Sequence, residues 1–172
     1  MGSELMNRVP TQDELQERMQ FYATVGQGIS NWARMEGRII NLAAYLLDTN
    51  VQKAGVVFYS MNFNLWLNVI DDLLLLDKHL TNIRKRHWSP VSSELRKLND
   101  IRVRLAHHTT WQAPAAGSGV YLRPAREDQR SRSRAYPILT ADEILKFTSD
   151  TTDIGHRILD VEQQLRAARM TM

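Results

Sequence analysis

Val91-Ser-Ser-Glu-Leu-Arg-Lys-Leu-Asn-Asp-Ile-Arg-Val-Arg-Leu-Ala-His107 repeats apolar residues at helical spacing. On an ideal helix turning about 100° per residue, Val91, Leu95, Leu98 and Leu105 fall on one stripe, the mark of a helix packed against other helices. Arg102 falls near the middle of that stripe. A guanidinium cannot shed its proton, so in such a place it needs a carboxylate or several carbonyls around it.

Toward the N-terminus the same periodicity recurs. Asn82 to His87 reads as one or two helical turns, ended by Ser89-Pro90 because a residue before proline is pushed out of the helical region. Asn62 to Leu80 carries Phe63, Trp66, Ile70, Leu73 and Leu74 on one face. Leu73 to Leu76 are apolar all round, which suits a bundle centre or a subunit interface and favours a homodimer. A short helix is expected from Val51 to Tyr59. Thr11 with Glu14 fits a capping box, followed by Leu15, Met19, Tyr22 and Val25. Gly26 and Gly28 weaken that helix, and Trp32, Met35, Ile39, Leu42 and Leu46 restore the stripe to about Asp48, giving one long kinked helix or two.

Toward the C-terminus, Pro114, Gly117 and Gly119 break the pattern. Val120-Tyr-Leu122 and Tyr136-Pro-Ile-Leu139 are β-compatible runs flanking an arginine-rich loop, an arrangement that suits a small hairpin. Thr140 with Glu143 forms a second capping box, and Ile144, Leu145, Ile154, Ile158, Val161 and Leu165 mark a last helix. The expected fold is all-α: a single domain over 1–172 made of five or six helices, with residues 1–10 disordered and a loop or β-hairpin excursion over 109–139 before the last helix.

The chain has 172 residues, enough for one core. It has no cysteine, which excludes disulfides and thiolate metal sites, and its five histidines do not fall at zinc-like spacings. No metal or cofactor is expected. A Gly-rich phosphate loop, a nucleophile elbow and a dinucleotide fingerprint are all absent from the sequence. There is no signal-peptide pattern and no apolar run near the roughly 20 residues that span a bilayer, so the expectation is a cytoplasmic protein away from membranes. Net charge is +3, but Lys and Arg cluster over 78–104 and 123–134, where a polyanion would bind or where the charges are simply solvated.

Glu36 sits among Trp32, Ile40, Ala43 and Leu47, a carboxylate inside an apolar stripe just as Arg102 is a cation inside one. Two misplaced charges of opposite sign are expected to meet, either to fix helix register or to orient a functional arginine. His107 lies about 140° around the helix from Arg102, because five residues turn about 500°. Arg104 is better placed, with His107 and His108 three and four residues beyond it. Either the helix ends near Ala106 and re-aims the histidines, or two copies of the segment meet across a dimer. A histidine at a helix C-terminus also serves simply as a favourable dipole partner.

Arg102-Val-Arg-Leu-Ala-His-His108 resembles the Arg-Asn-x-x-Ala-His-Gly stretch of the HEPN superfamily, the higher eukaryote and prokaryote nucleotide-binding domains. Trp32-Ala-Arg-Met-Glu36 is similar to the Trp-x-x-x-Glu region of some bacterial members. Val103 stands where the family has a polar residue, and His108 where it has glycine. The resemblance implies a helical bundle that dimerises, and a metal-independent endoribonuclease, often a toxin or defence protein, whose catalytic pair would be Arg102 and His107, supported by Glu36, Arg104 and His108.

Under that resemblance His107 would activate the ribose 2′-hydroxyl or protonate the leaving oxygen, and Arg102 would steady charge on the scissile phosphate, leaving a 2′,3′-cyclic phosphate. Arg123, Arg126, Arg130, Arg132 and Arg134, bordered by Tyr121 and Tyr136, suit phosphate contacts and base stacking, or form a plain surface loop. The expected partners are a second copy, RNA, and an antitoxin or regulatory protein. The alternative is a non-catalytic interaction or RNA- or nucleotide-binding regulatory module.

Overall fold

The computed structural model describes residues 11–112, 119–124 and 138–170. It is an all-α bundle with one small antiparallel sheet: α1 (Gln12–Leu46), α2 (Val51–Tyr59), α3 (Phe63–Leu76), the short turn α4 (Thr81–Ile83), α5 (Ser89–His107), β1 (His108–Gln112), β2 (Val120–Pro124) and α6 (Ala141–Met170). The expected disorder of 1–10 lies outside the described residues. None of the described helices is long and apolar enough to cross a membrane.

Side-chain caps start the helices. Thr11 Oγ1 accepts from the Glu14 amide at 3.3 Å while the Thr11 amide donates to Glu14 Oε2 at 2.7 Å, so both arms of the box form. Asn50 and Asn62 cap α2 and α3 by accepting from the amides of Lys53 and Leu65. Helix α1 closes with Asp48 at φ 50°, and the Thr49 amide donates to Ala44 O at 2.9 Å, a Schellman ending that turns the chain sharply into α2.

Helix α1 runs unbroken through Gly26 and Gly28. Gly28 is buried where α6 crosses: a Cβ there would stand 3.3 Å from Thr148 Oγ1 and 3.4 Å from Ile144 Cγ2. Trp32 stacks on Phe147 of α6 at 5.8 Å, and Asn31 Nδ2 donates to Thr152 Oγ1 at 2.9 Å. These contacts hold the two longest helices side by side around one core, which also takes in Met35, Ile39, Leu67, Ile70, Leu95, Ile158 and Leu165.

Three expectations need correcting. Ser89-Pro90 does not end a helix: a π-helical turn, Arg84–Trp88, passes directly into α5, with proline in the first turn after it. Fully buried Trp88 and nearly buried Val91 anchor the chain on both sides of the proline, and Arg84 grips Asp71 of α3 through two hydrogen bonds of 3.0 and 2.6 Å. Tertiary packing overrides the local preference.

Within the chain the run Leu73 to Leu76 is not buried on every side, since Leu74 is enclosed while Leu75 and Leu76 are exposed. The hairpin also uses a different partner. Strand β2 pairs with β1 in the register His108 to Pro124 through Gln112 to Val120, and Leu139 joins Leu122 only through an isolated bridge. Thr109, Thr110 and Trp111 are strand-favouring residues, and they take the chain out of the helix at His108.

Candidate functional site

Helix α5 carries Arg102 at a point where α1 and the α2–α3 corner come close. The resulting cleft, about 630 Å³, is lined by Glu36 from α1, Tyr59 from α2, Met61 to Asn64 and Trp66 from the corner, and Asn99, Arg102 and Val103 from α5. Its rings form a connected set, with Trp32 and Phe63 4.8 Å apart, Phe63 and Trp66 5.7 Å, and Tyr59 and Trp66 5.5 Å. Trp66 is buried and its indole donates to Met61 O at 3.2 Å, which fixes the corner; Tyr59 is exposed.

Glu36 and Arg102 therefore share a cleft, as their misplaced charges suggest, but they do not pair. The carboxylate of Glu36 accepts a 2.6 Å hydrogen bond from Trp32 Nε1, one turn back on α1. Burial raises the Glu36 pKa above its ordinary value, against the opposing pull of the Trp32 hydrogen bond and, through space, the positive charge of Arg102. Among the described residues no ion pair joins Arg102 to any carboxylate. Each charge is only partly buried.

His107 closes α5 as its last residue, exposed. The helix ends within one residue of Ala106, as one alternative expected, and the extended backbone of His108 turns that histidine off the helix, while His107, still helical, keeps its position about 140° around from Arg102. It shares a helix face with Val103, four residues earlier, which is 40 % exposed and lines the cleft. The imidazole thus lies one turn, about 6 Å of rise, beyond the cleft's rim.

His108 opens β1 and is half-buried. Burial lowers its pKa, and the neighbouring charges of Arg104 and His107 push it the same way. The expected grouping of Arg104 with the two histidines is present as electrostatic coupling, beside the Arg102 cleft and not inside it. Arg123 lies in β2, its backbone opposite Thr109; Arg126, Arg130, Arg132 and Arg134 lie outside the described residues.

Sequence reading did not assign Tyr59, Asn64 or Asn99 to a site. The signal available was Tyr59-Ser-Met-Asn-Phe-Asn-Leu-Trp66, where aromatic and amide residues crowd a two-helix corner. Among the described residues no three potential metal ligands converge. No family model, curated protein or solved structure matches the chain.

Proposed function

We propose that the protein is a metal-independent endoribonuclease of the HEPN type, acting as a toxin or defence protein. One observation carries this: an exposed imidazole, His107, stands one helical turn beyond the rim of a cleft that holds an arginine with no carboxylate on it. In the reaction the 2′-oxygen attacks phosphorus, the bond to the 5′-oxygen breaks, and the proton leaving the 2′-hydroxyl ends on that oxygen. His107 handles the proton at one end of this transfer, and Arg102 binds the phosphate as its charge rearranges. The apolar Leu75 and Leu76, left exposed at the end of α3, support a homodimer.

A second reading, a module that binds RNA or nucleotide without cutting it, is favoured by Val103. The residue that shares His107's face and faces the cleft is apolar and offers no hydrogen bond to substrate. The two readings separate when labelled RNA and DNA of the same sequence are incubated in EDTA with wild type and His107→Ala. Cleavage of RNA alone, by wild type alone, supports the nuclease; retention of RNA without turnover by both proteins supports the module.

A further inference from the structure

Phosphate chemistry at Arg102 and His107 leaves most of the cleft unused: Glu36, the ring pair Tyr59 and Phe63, and the amides of Asn64 and Asn99. We infer that this part of the cleft is a pocket for one nucleobase of single-stranded RNA, selecting bases that carry an exocyclic amino group, with the amino edge on Glu36 and the adjoining phosphate on Arg102. The inference deepens the proposed function and rests on the reading that an RNA phosphate reaches Arg102.

Four features support it. The cleft volume of about 630 Å³ falls in the range of small-ligand sites, roughly 300 to 1,000 Å³. Tyr59 presents a largely open ring set edge-on to buried Trp66, which Phe63 also contacts, an aromatic surface of the kind on which unstacked bases lie. Asn64 and Asn99 have no hydrogen-bond partner among the described residues, so their amides are free to meet ring nitrogens and carbonyls.

The fourth feature is the unpaired couple of charges. One oxygen of Glu36 is occupied by Trp32, which locks the carboxyl in place and leaves the other to accept. An ionised carboxylate only accepts, so it reads a donor edge: the amino groups of adenine, cytosine and guanine offer one at the rim of the base, whereas uracil's one donor on that edge, N3–H, lies between two carbonyl oxygens that repel a carboxylate. Burial, which raises the carboxyl's pKa, also strengthens any hydrogen bond it makes. Arg102 across the cleft supplies the opposite specificity, a donor fork for an anion. A carboxylate and a guanidinium that share one cavity without touching fit a ligand with a donor edge and an anionic group, which is the chemistry of a nucleotide.

The test is calorimetric titration of the intact protein with AMP, CMP, GMP and UMP in EDTA at low salt, beside thermal melts that confirm folding. A hydrogen bond to a charged group is worth about tenfold or more in affinity, so the three amino-bearing nucleotides should bind at least about tenfold more tightly than UMP. Glu36→Gln, which keeps an acceptor for Trp32, should erase that preference. Arg102→Ala should weaken all four nucleotides alike and keep their order. Equal binding of UMP, or a preference that survives Glu36→Gln, overturns the inference; both comparisons use folded protein, and the first needs no variant. RNA cleavage without base-selective binding would overturn the pocket and leave the nuclease reading standing, whereas base-selective binding without cleavage would support the pocket and remove the nuclease.

Discussion

The indole Nε1 of Trp32 donates to Glu36 Oε1 at 2.6 Å, while Arg102, which lines the same cleft, makes no ion pair with that carboxylate. Trp32 is itself held between Phe63 and Phe147. The core thereby fixes where the Glu36 carboxyl sits, and Arg102 keeps its charge available to the cleft.

Arg102→Ala should consequently cost little stability. Removing one member of a buried ion pair costs about 3 to 5 kcal/mol, but a half-exposed arginine with no paired carboxylate should cost no more than about 1 kcal/mol. Urea unfolding of the variant decides this, and a loss near the larger figure would show that the two charges depend on each other for folding.

Glu36 should impose a pH dependence. Its folded-state pKa is raised, so between the unfolded value of about 4.5 and the raised value the folded chain binds more protons than the unfolded one. Stability therefore falls as pH rises through that window and recovers as pH falls. Glu36→Gln should flatten this slope while preserving the Trp32 hydrogen bond. Glu36→Ala strands the indole N–H and should cost about 1 to 3 kcal/mol by denaturant melts.

His108 shifts the other way. Its folded-state pKa lies below the ordinary value of 6.5, so the unfolded chain binds more protons in the window beneath 6.5, and the folded protein loses stability as pH drops through it. The His108 imidazole resonances, followed by NMR, should titrate below 6.5; a midpoint above it would contradict the burial seen here.

The two glycines of α1 should respond oppositely. Nothing lies within 4 Å of a Cβ at exposed Gly26, so Gly26→Ala should stabilise the helix by about 0.5 to 1 kcal/mol. Gly28 faces Thr148, Ile144 and Phe147 at 3.3 to 3.5 Å, so Gly28→Leu should destabilise by overpacking, by about 1 to 3 kcal/mol. Thermal melts of both proteins check the contrast.

Most of the helices were legible because capping and periodicity agree locally: Thr11 with Glu14 and Thr140 with Glu143 form as read, and α2 spans Val51–Tyr59 as expected. What failed had two causes. Pro90 stays helical because Trp88 and Val91 are packed into the core, which local preference does not show; β2 pairs with the segment just before it, His108 to Gln112, whose strand-favouring Thr109 and Thr110 follow directly on a helical stripe that masked them. At the site, the shared cleft of Glu36 and Arg102 was legible from two charges in apolar stripes. That they share it without pairing was not, since it depends on how α1, α5 and the α2–α3 corner pack around the cleft.

The proposed cleavage of RNA by His107 and Arg102 through the substrate's own 2′-hydroxyl is tested by analysing the new 3′ ends after single-turnover incubation with labelled RNA in EDTA. Wild type should leave 2′,3′-cyclic phosphate ends, and His107→Ala should leave the RNA intact. Uncut RNA across several sequences, or 3′-hydroxyl ends, would contradict it.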